Sequence, residues 1–389
     1  IWRHGDRTPV DGPFPTDTKN GLETWPQGWG ELLPQGMTRH YKVGQWLKKR
    51  YEKVLVSSEY RQDEIFVVST SFNRTIMSAL SNMAGFYPPT ENTTFLPDLK
   101  WSPVPVHSRP REEDPMMWMD VPCPTADDGT TEFYKTEEYK KFKEVPWRKA
   151  LIDLYNEKTG WKISTVHDIW TVYDPIHCEF DNSDAHELPD WVNDTVYKDT
   201  IRLYDDSLWY NFPTTTVQKL RGGLLLGEIG RRMEARSKQQ WERLSPALKY
   251  YVYSTHDTSM LGFLLNLGSF NGRLPPYASV IMIELHKDDN KGYNVEVWYQ
   301  NNTEGTLGDP YKLKVRGCDD FCPLDKFLEN SRSRTPEDWY ADCGITKTDD
   351  SSDYWRRVAI GTSVTLVIVL ILLLAIIVVL FMRRGRHHW

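Results

Sequence analysis

The chain has two short, mainly apolar runs, at 65–68 and 248–253, each followed at once by polar residues. Such runs are typical of strands buried inside a sheet. Apolar residues spaced three or four apart predict helices at 34–56, in the segment that follows Ser71, at 220–236 and at 258–267. Two further strands are predicted at 278–286 and 293–299, joined as a hairpin by the turn-forming linker 287–292.

Between 101 and 221 the texture of the sequence changes. Charged residues, Trp and irregularly spaced Pro dominate this segment, and it shows no clear strand pattern. We therefore expect a mostly helical insertion that covers the sheet. The residues after Cys322 are polar and loosely patterned, which favours a stalk.

One long apolar segment lies near the end of the chain. No charged residue occurs from Val358 to Met382, and most of these residues are Val, Ile or Leu. The length suits a helix that crosses a bilayer, and the uniform apolarity argues against the alternative of a buried soluble helix. The residues after the segment are basic and those before it are of mixed charge. By the positive-inside rule this pattern weakly favours a cytosolic tail and a lumenal or extracellular body.

Composition narrows the function classes. The 389 residues are enough for one large domain or two ordinary ones, and 16 Trp, 20 Tyr and 14 Phe allow a sizeable core. A formal net charge of −7 argues against a nucleic-acid partner.

The candidate chemistry is concentrated in the first residues, which read Arg3-His4-Gly5-Asp6-Arg7-Thr8-Pro9. Guanidinium groups bind phosphate through paired hydrogen bonds. An imidazole among such cations is biased toward its neutral form, which can attack phosphorus. The alternative is a basic surface loop, but the extended pattern R-H-G-x-R-x-P is much rarer by chance than its first three letters.

Reactive residues also follow the two buried runs. Arg74 lies just after the first run, and His256 and Asp257 lie just after the second. Carboxyl ends of parallel strands meet at one edge of a sheet, where open α/β folds bind their ligands. We therefore expect these side chains to gather around His4.

At these residues the chain resembles the histidine acid phosphatases. The similarity continues in order along the chain through Trp25-Pro26-Gln27-Gly28, Ser69-Thr70 with Asn73-Arg74-Thr75, Tyr173-Asp174-Pro175, Ser254-Thr255-His256-Asp257-Thr258 and Pro275-Pro276-Tyr277-Ala278-Ser279. It covers nearly everything before the apolar segment.

The resemblance implies an α/β fold with a mixed, phosphoglycerate-mutase-like sheet flanked by helices and a smaller, mostly helical inserted cap. We assign the chain to a catalytic domain at 1–100 and 222–345, a cap domain at 101–221, a stalk at 346–357, a transmembrane helix at 358–382 and a short cytosolic tail at 383–389.

The resemblance also implies the activity: hydrolysis of phosphate monoesters at acidic pH through a phosphohistidine, without a metal or cofactor. His4 would be the nucleophile and Asp257 the proton donor. The residues that bind phosphate would be Arg3, Arg7, Arg74 and His256. Several His, Cys and acidic residues between His177 and His186 fit no standard metal-ligand spacing, and we expect a solvated loop there.

The resemblance pairs the cysteines as Cys123 with Cys343 and Cys318 with Cys322. It leaves Cys178 as a free thiol, because Val280 stands where the family's partner cysteine is expected. The alternative, that all five cysteines are reduced, is less expected in an exported protein.

Four Asn-x-Ser/Thr sequons occur. We predict glycosylation at Asn92, Asn193 and Asn301. Asn73 is expected to be bare, because it adjoins Arg74.

These features together predict a single-pass type I membrane protein of the lysosome or the plasma membrane. The tail lacks the tyrosine-based sorting signal of the family's lysosomal members, so the plasma membrane is expected at least as much as the lysosome. Because the sequence begins inside a motif, we expect a signal segment and the rest of a strand ending at Ile1-Trp2 to precede it. A homodimer is suggested by the resemblance alone.

Two other functions compete with this interpretation. One is a different enzyme of the same superfamily, such as a phytase or a mutase. The other is a non-catalytic surface module on a phosphatase scaffold, although none of the six candidate active-site residues is lost.

Overall fold

The computed structural model describes residues 1–240 and 246–346. The strands in this part of the chain form one mixed sheet in the order β2-β3-β1-β4-β5-β6, with β7 paired to β5. Their bounds are β1 Trp2–Arg3, β2 Ile65–Ser69, β3 Tyr250–Thr255, β4 Val280–Asp288, β5 Gly292–Gln300, β6 Tyr311–Lys312 and β7 Cys322–Pro323.

The three strands that precede the candidate site residues are parallel. Ser254 on β3 pairs with Ser69 on β2 and with Trp2 on β1. The next strand, β4, runs antiparallel to β1 and begins the hairpin with β5. The predicted mixed sheet is therefore confirmed, and β1, β2 and β3 end at the same edge.

Helices flank the sheet. Their bounds are α1 Pro34–Tyr51, α2 Asn73–Phe86, α3 Pro124–Phe133, α4 Glu137–Glu144, α5 Pro146–Lys158, α6 Val166–Asp181, α7 Asp194–Ser207, α8 Thr215–Ser237, α9 Asp257–Leu267, α10 Leu324–Ser333 and α11 Trp339–Asp342. The inserted segment holds α3 to α7, which agrees with its helical pattern. Residues 1–343 nevertheless cluster as a single unit, and a separate cap domain with bounds 101–221 stays a prediction.

Two apolar clusters lie against the sheet. One packs α1 and α2 on it through residues such as Val43, Met83 and Val67. The other packs α8, α9 and α10 through residues such as Leu225, Phe263 and Phe327. Burial alternates along β2, with Ile65 and Val67 buried in the first cluster and Val68 partly buried against the second.

The helices beside the site cross at glycines. A Cβ added to Gly44 on α1 would overlap the carbonyl of Asn82 on α2, and one added to Gly85 on α2 would overlap the carbonyl of Tyr41. Gly222 on α8 stands in the same relation to Gly262 on α9. These pairs therefore touch through their backbones.

Three sequence predictions differ from the structure. The solvated loop expected between His177 and His186 is wrong for its first half, because α6 continues to Asp181 and buries Cys178 and Glu179. The first helix ends at Tyr51 rather than at 56, because the chain turns at Lys53, whose φ is +70°. The stalk predicted after Cys322 is wrong for its first part. There α10 buries Leu324, Phe327 and Leu328, an apolar spacing too short to stand out among polar residues.

Both predicted disulfides are present. Cys123–Cys343 joins the start of α3 to the end of α11, and Cys318–Cys322 closes a short loop before β7. Cys178 is free and buried within the described residues. In that part of the chain no helix has the length and apolarity to cross a membrane. The predicted transmembrane helix at 358–382, the tail at 383–389 and all but the first residue of the predicted stalk at 346–357 lie outside it.

Candidate active site

The three strand ends meet at one edge of the sheet. His4 follows β1 and His256 follows β3, and their ring centroids are 5.6 Å apart. Arg74, in the first turn of α2, places Nη2 3.5 Å from Nδ1 of His256. All six predicted site residues are connected through contacts of this kind or through electrostatic interaction with His4 or with one another.

The tautomer of His4 is set by its own loop. Nδ1 lies 2.8 Å from the carbonyl oxygen of Gly5, which can only accept, so Nδ1 carries the proton and Nε2 keeps a free lone pair. Burial lowers the pKa of His4 well below its ordinary value, and the positive charges of Arg74, Arg3 and Arg7 lower it further. The ring is therefore neutral and nucleophilic at Nε2.

Close backbone approach holds the loop that carries His4. A Cβ on Gly5 would overlap the backbone of Gly36 in α1, and the Gly5 N–H donates to Ser78 Oγ on α2 at 3.0 Å. On the same side, Nε2 of His40 donates to the Arg3 carbonyl at 2.9 Å. The glycine in the motif is thus required by the packing of the loop on two helices.

Arg3 connects the loop of His4 to the candidate proton donor. Its Nη2 lies 2.6 Å from Asp257 Oδ2, and its Nη1 donates to the Pro275 carbonyl at 2.8 Å. The guanidinium carbon also lies 4.1 Å from the centre of the Tyr277 ring. Burial acts to lower the pKa of Arg3, but the Asp257 carboxylate raises it above its ordinary value.

Arg7 has a carboxylate partner that sequence reasoning did not assign. Asp174 on α6 accepts from Nη2 at 2.7 Å and from Nη1 at 3.1 Å, and its Oδ2 also accepts the backbone N–H of Val10. Burial opposes the charge on Arg7, but Asp174 raises the pKa of Arg7 well above its usual value. The ion pair is almost fully buried, so it fixes the guanidinium in one position.

Arg74 and His256 form the remaining wall. Within the described residues Arg74 makes no ion pair, and its Nη1 donates to the Gly30 carbonyl at 3.4 Å. Burial and the charge of Arg7 lower the pKa of Arg74 to about 10, and burial and Arg74 lower that of His256 well below its ordinary value. Thr70 Oγ1 lies 3.0 Å from Nε2 of His256, which orients the ring with Nδ1 toward Arg74.

This arrangement has the chemistry of an anion site. Three guanidinium groups and two neutral imidazoles share a buried space, while two carboxylates balance two of the arginines. A tetrahedral dianion placed there would meet forked donors on several sides and a free imidazole lone pair.

Sequence reasoning missed the residues that support the site. Asp174 and Tyr277 belong to stretches that the resemblance included, but nothing in their spacing indicated a role. Thr70 also belongs to such a stretch, and its role becomes visible only from its contact with His256. These partners lie far apart in sequence and meet through tertiary packing.

Other predicted positions lie elsewhere on the molecule. Asn92 and Asn193 are exposed and Asn301 is half-buried, and their glycosylation stays a prediction. Asn73 is exposed and donates to Glu31. Among the described residues, ligand atoms gather in a metal-like group at Glu284, His286 and Glu296 on the β4–β5 hairpin, where Arg50 and Lys312 already pair with the two carboxylates.

Residues 1–300 match the family model of the histidine phosphatase superfamily, branch 2. The chain belongs to this family. It is 33% identical to lysosomal acid phosphatase from Rattus norvegicus over 392 residues, covering 100% of this chain and 89% of that protein. It is 35% identical to the prostatic acid phosphatase of the same species over 357 residues, covering 90% of each. The predicted family is confirmed, and membership places this branch 2 protein among the phosphatases.

A putative acid phosphatase 5 from Caenorhabditis elegans is 34% identical over 348 residues, covering 89% of this chain and 78% of that one. Among solved structures, Hafnia alvei phytase in complex with tartrate is similar with a TM-score of 0.65 and 15% identity, over 88% of this chain and 96% of the phytase. At that identity the likeness to the phytase shows the fold alone.

Proposed function

We propose that this protein is an acid phosphatase that hydrolyses phosphate monoesters through a phosphohistidine on His4, without a metal in the reaction. The observation that carries the proposal is the buried His4 ring. Its Nδ1 is bound to the Gly5 carbonyl, which leaves Nε2 free, and the charges of three arginines act on it. The acid phosphatase names of its relatives support the same reaction class.

The first step transfers the phosphoryl group. Nε2 of His4 forms a bond to phosphorus as the bond to the leaving oxygen breaks, and protonated Asp257 gives its proton to that oxygen. Arg3, Arg7, Arg74 and His256 hold the phosphoryl oxygens and stabilise their charge in the transition state. Asp257 is paired with Arg3 before substrate binds. The substrate dianion competes for Arg3, and the released carboxyl takes from the acidic medium the proton that it donates in this step.

The second step returns the enzyme to its starting state. Asp257, now a carboxylate, takes a proton from water as the water oxygen attacks phosphorus and the phosphorus–nitrogen bond breaks. The products are inorganic phosphate, neutral His4 and protonated Asp257. A donor that must carry its proton favours acidic conditions, so we infer an acidic operating pH.

A trapping experiment tests the covalent route. The enzyme is mixed briefly with a ³²P-labelled monoester and then quenched without acid. The protein should keep a label that is stable to alkali and lost in acid, as expected for a phosphohistidine. His4→Ala should abolish both label and turnover, whereas His286→Ala on the exposed hairpin should change neither. Retained turnover in His4→Ala would exclude the nucleophile assigned here.

We also infer that the apolar segment 358–382 anchors the protein, with the catalytic part on the lumenal or extracellular side. The sequence of the segment and the basic residues after it support this. Resistance of the full chain to carbonate extraction from membranes, together with protease protection of the site in sealed vesicles, is the expected result. Release into the soluble fraction would contradict it. The homodimer suggested by family resemblance stays a prediction.

A further inference from the structure

A further arginine stands beside the proposed phosphate site. Arg111 begins a short 3₁₀ helix, Arg111–Glu113, in a segment that lies beside β2. Just before it, His107 pairs with the edge of β2, because its N–H donates to the Val67 carbonyl and its carbonyl accepts from Ser69. The chain therefore leaves the sheet at the same edge as the active site.

The side chain of Arg111 is held in place rather than free in solvent. Its Nε donates to the Ser71 carbonyl at 2.8 Å, and its guanidinium carbon lies 3.8 Å from the centre of the Phe72 ring. A guanidinium stacked on a phenyl face gains cation–π attraction and keeps its outer N–H groups available.

Phe72 joins Arg111 to the phosphate-binding residues. The guanidinium carbon of Arg74 lies 4.7 Å from the centre of the same ring, and the His256 ring meets it edge-on at 4.8 Å. The positive charge of Arg111 also contributes to the lowered pKa of both His256 and Arg74, after burial and nearer charges. Arg111 therefore adds to the positive potential at the active site.

The charge of Arg111 is not balanced within residues 1–240 and 246–346. In that part of the chain Arg111 has no ion pair with a carboxylate, unlike Arg3 and Arg7. The nearby Arg109 differs, since its charge acts on Asp114. An exposed, oriented guanidinium without a carboxylate is suited to an anion from solution.

The segment that carries Arg111 continues along the side of the proposed proton donor. The carbonyl of Met117 accepts from the hydroxyls of Thr255 and Ser259, which lie on either side of His256 and Asp257. In the proposed reaction Asp257 protonates the leaving oxygen, so this segment passes close to the side of the site from which the leaving group departs.

We propose that Arg111, stacked on Phe72, forms a second anion subsite that favours substrates whose leaving group carries another phosphate or carboxylate near the transferred phosphoryl group. This inference rests on the proposed phosphatase function. It names a substrate class, monoesters with a second anionic group, and a residue that selects it.

The test compares kcat/KM for alkanediol bisphosphates of two to six carbons with that for the alkanol monophosphates of the same length. The wild-type ratio of bisphosphate to monophosphate should peak at one chain length. Arg111→Leu, which keeps an apolar cover on Phe72, should lower that peak ratio about tenfold, the effect of losing one charge-assisted hydrogen bond. Arg111→Lys should keep part of the preference, and raised salt should weaken it.

Arg109→Leu is the matched control, and it should leave the ratio unchanged. A ratio that is flat with chain length, or that survives Arg111→Leu, would overturn the subsite. Failure of the wild type on every monophosphate would instead count against the proposed function. In that case the subsite is tested without turnover, by calorimetry that compares the affinity of the protein for methylenebisphosphonate with its affinity for methylphosphonate. An equal advantage of the bisphosphonate in wild type and Arg111→Leu would overturn it there as well.

Discussion

At the scale of single residues, the site depends on how each charge is matched. Arg7 and Arg3 are fixed by ion pairs with carboxylates. Arg74 has no such ion pair within the described residues, so its charge is available to an incoming anion. His4 is kept neutral by burial and by these cations. In the proposed reaction, the same set of charges would prepare both the nucleophile and the binding of its dianionic substrate.

The role proposed for Asp257 as proton donor leads to a prediction about leaving groups. Asp257→Asn keeps the size of the side chain but cannot donate a carboxylic proton. Turnover of alkyl phosphates, whose leaving oxygen needs the proton, should fall about a hundredfold or more. Turnover of p-nitrophenyl phosphate should fall much less. Steady-state kinetics on both substrates give the comparison, and equal losses would argue against general-acid catalysis.

At the scale of helices and strands, the site is positioned by elements that the sequence pattern largely predicts. The apolar runs before Ser69 and Ser254 correctly indicated β2 and β3, and the polar residues after them marked the edge where the candidate site residues meet. The motif at Arg3-His4-Gly5 identified the third strand end. The pattern could not show that Asp174 on α6 reaches Arg7, because that contact depends on how the inserted helices fold back over the sheet.

The glycine contact between α1 and α2 gives a prediction at this scale. Gly44→Ala would press a methyl group into the backbone of α2, which carries Arg74. Overpacking of this kind costs about 1–3 kcal/mol of unfolding free energy. Displacement of Arg74 should also lower kcat/KM for simple monoesters. Gly308→Ala is the control, since a Cβ there meets nothing within 4 Å. Thermal denaturation of both variants makes the comparison, and equal stability would contradict the backbone contact.

A buried carboxyl on α6 gives a prediction about pH. Burial and the nearby Asp17 raise the pKa of Glu179 to about 9, so the folded protein keeps this proton where the unfolded chain has lost it. Glu179 therefore contributes stability that is fully present below its unfolded pKa of 4.5 and is lost as pH rises toward 9. The loss is about 3 kcal/mol near pH 7.

Glu179→Gln should remove this dependence. The melting temperature of the variant, relative to wild type, should rise between pH 4.5 and 8, because the amide has no proton to lose in that range. Glu187→Gln on the exposed surface is the control and should follow wild type throughout. A constant difference between Glu179→Gln and wild type would show that the carboxyl is already ionised in the fold.

At the scale of the whole molecule, the two disulfides differ in what they restrain. Cys123–Cys343 spans 220 residues, while Cys318–Cys322 spans 4. Chain-entropy arguments give the long loop about 5 kcal/mol of stabilisation and the short loop about 2 kcal/mol. The double variant Cys123→Ser/Cys343→Ser should therefore melt at a clearly lower temperature than Cys318→Ser/Cys322→Ser. The reverse order under calorimetry would show that native-state strain outweighs loop entropy.

The crossings of α1 with α2 and of α8 with α9 also affect how the protein can be changed. Because backbone meets backbone at Gly44 and Gly222, the distance between the two helices of each pair does not depend on the volume of neighbouring apolar side chains. Mutant libraries aimed at new substrates should leave these crossings intact and vary the residues around Phe72 and Arg111, beside the proposed phosphate site. Substitutions there can change substrate selectivity while the positions of the candidate site residues stay the same.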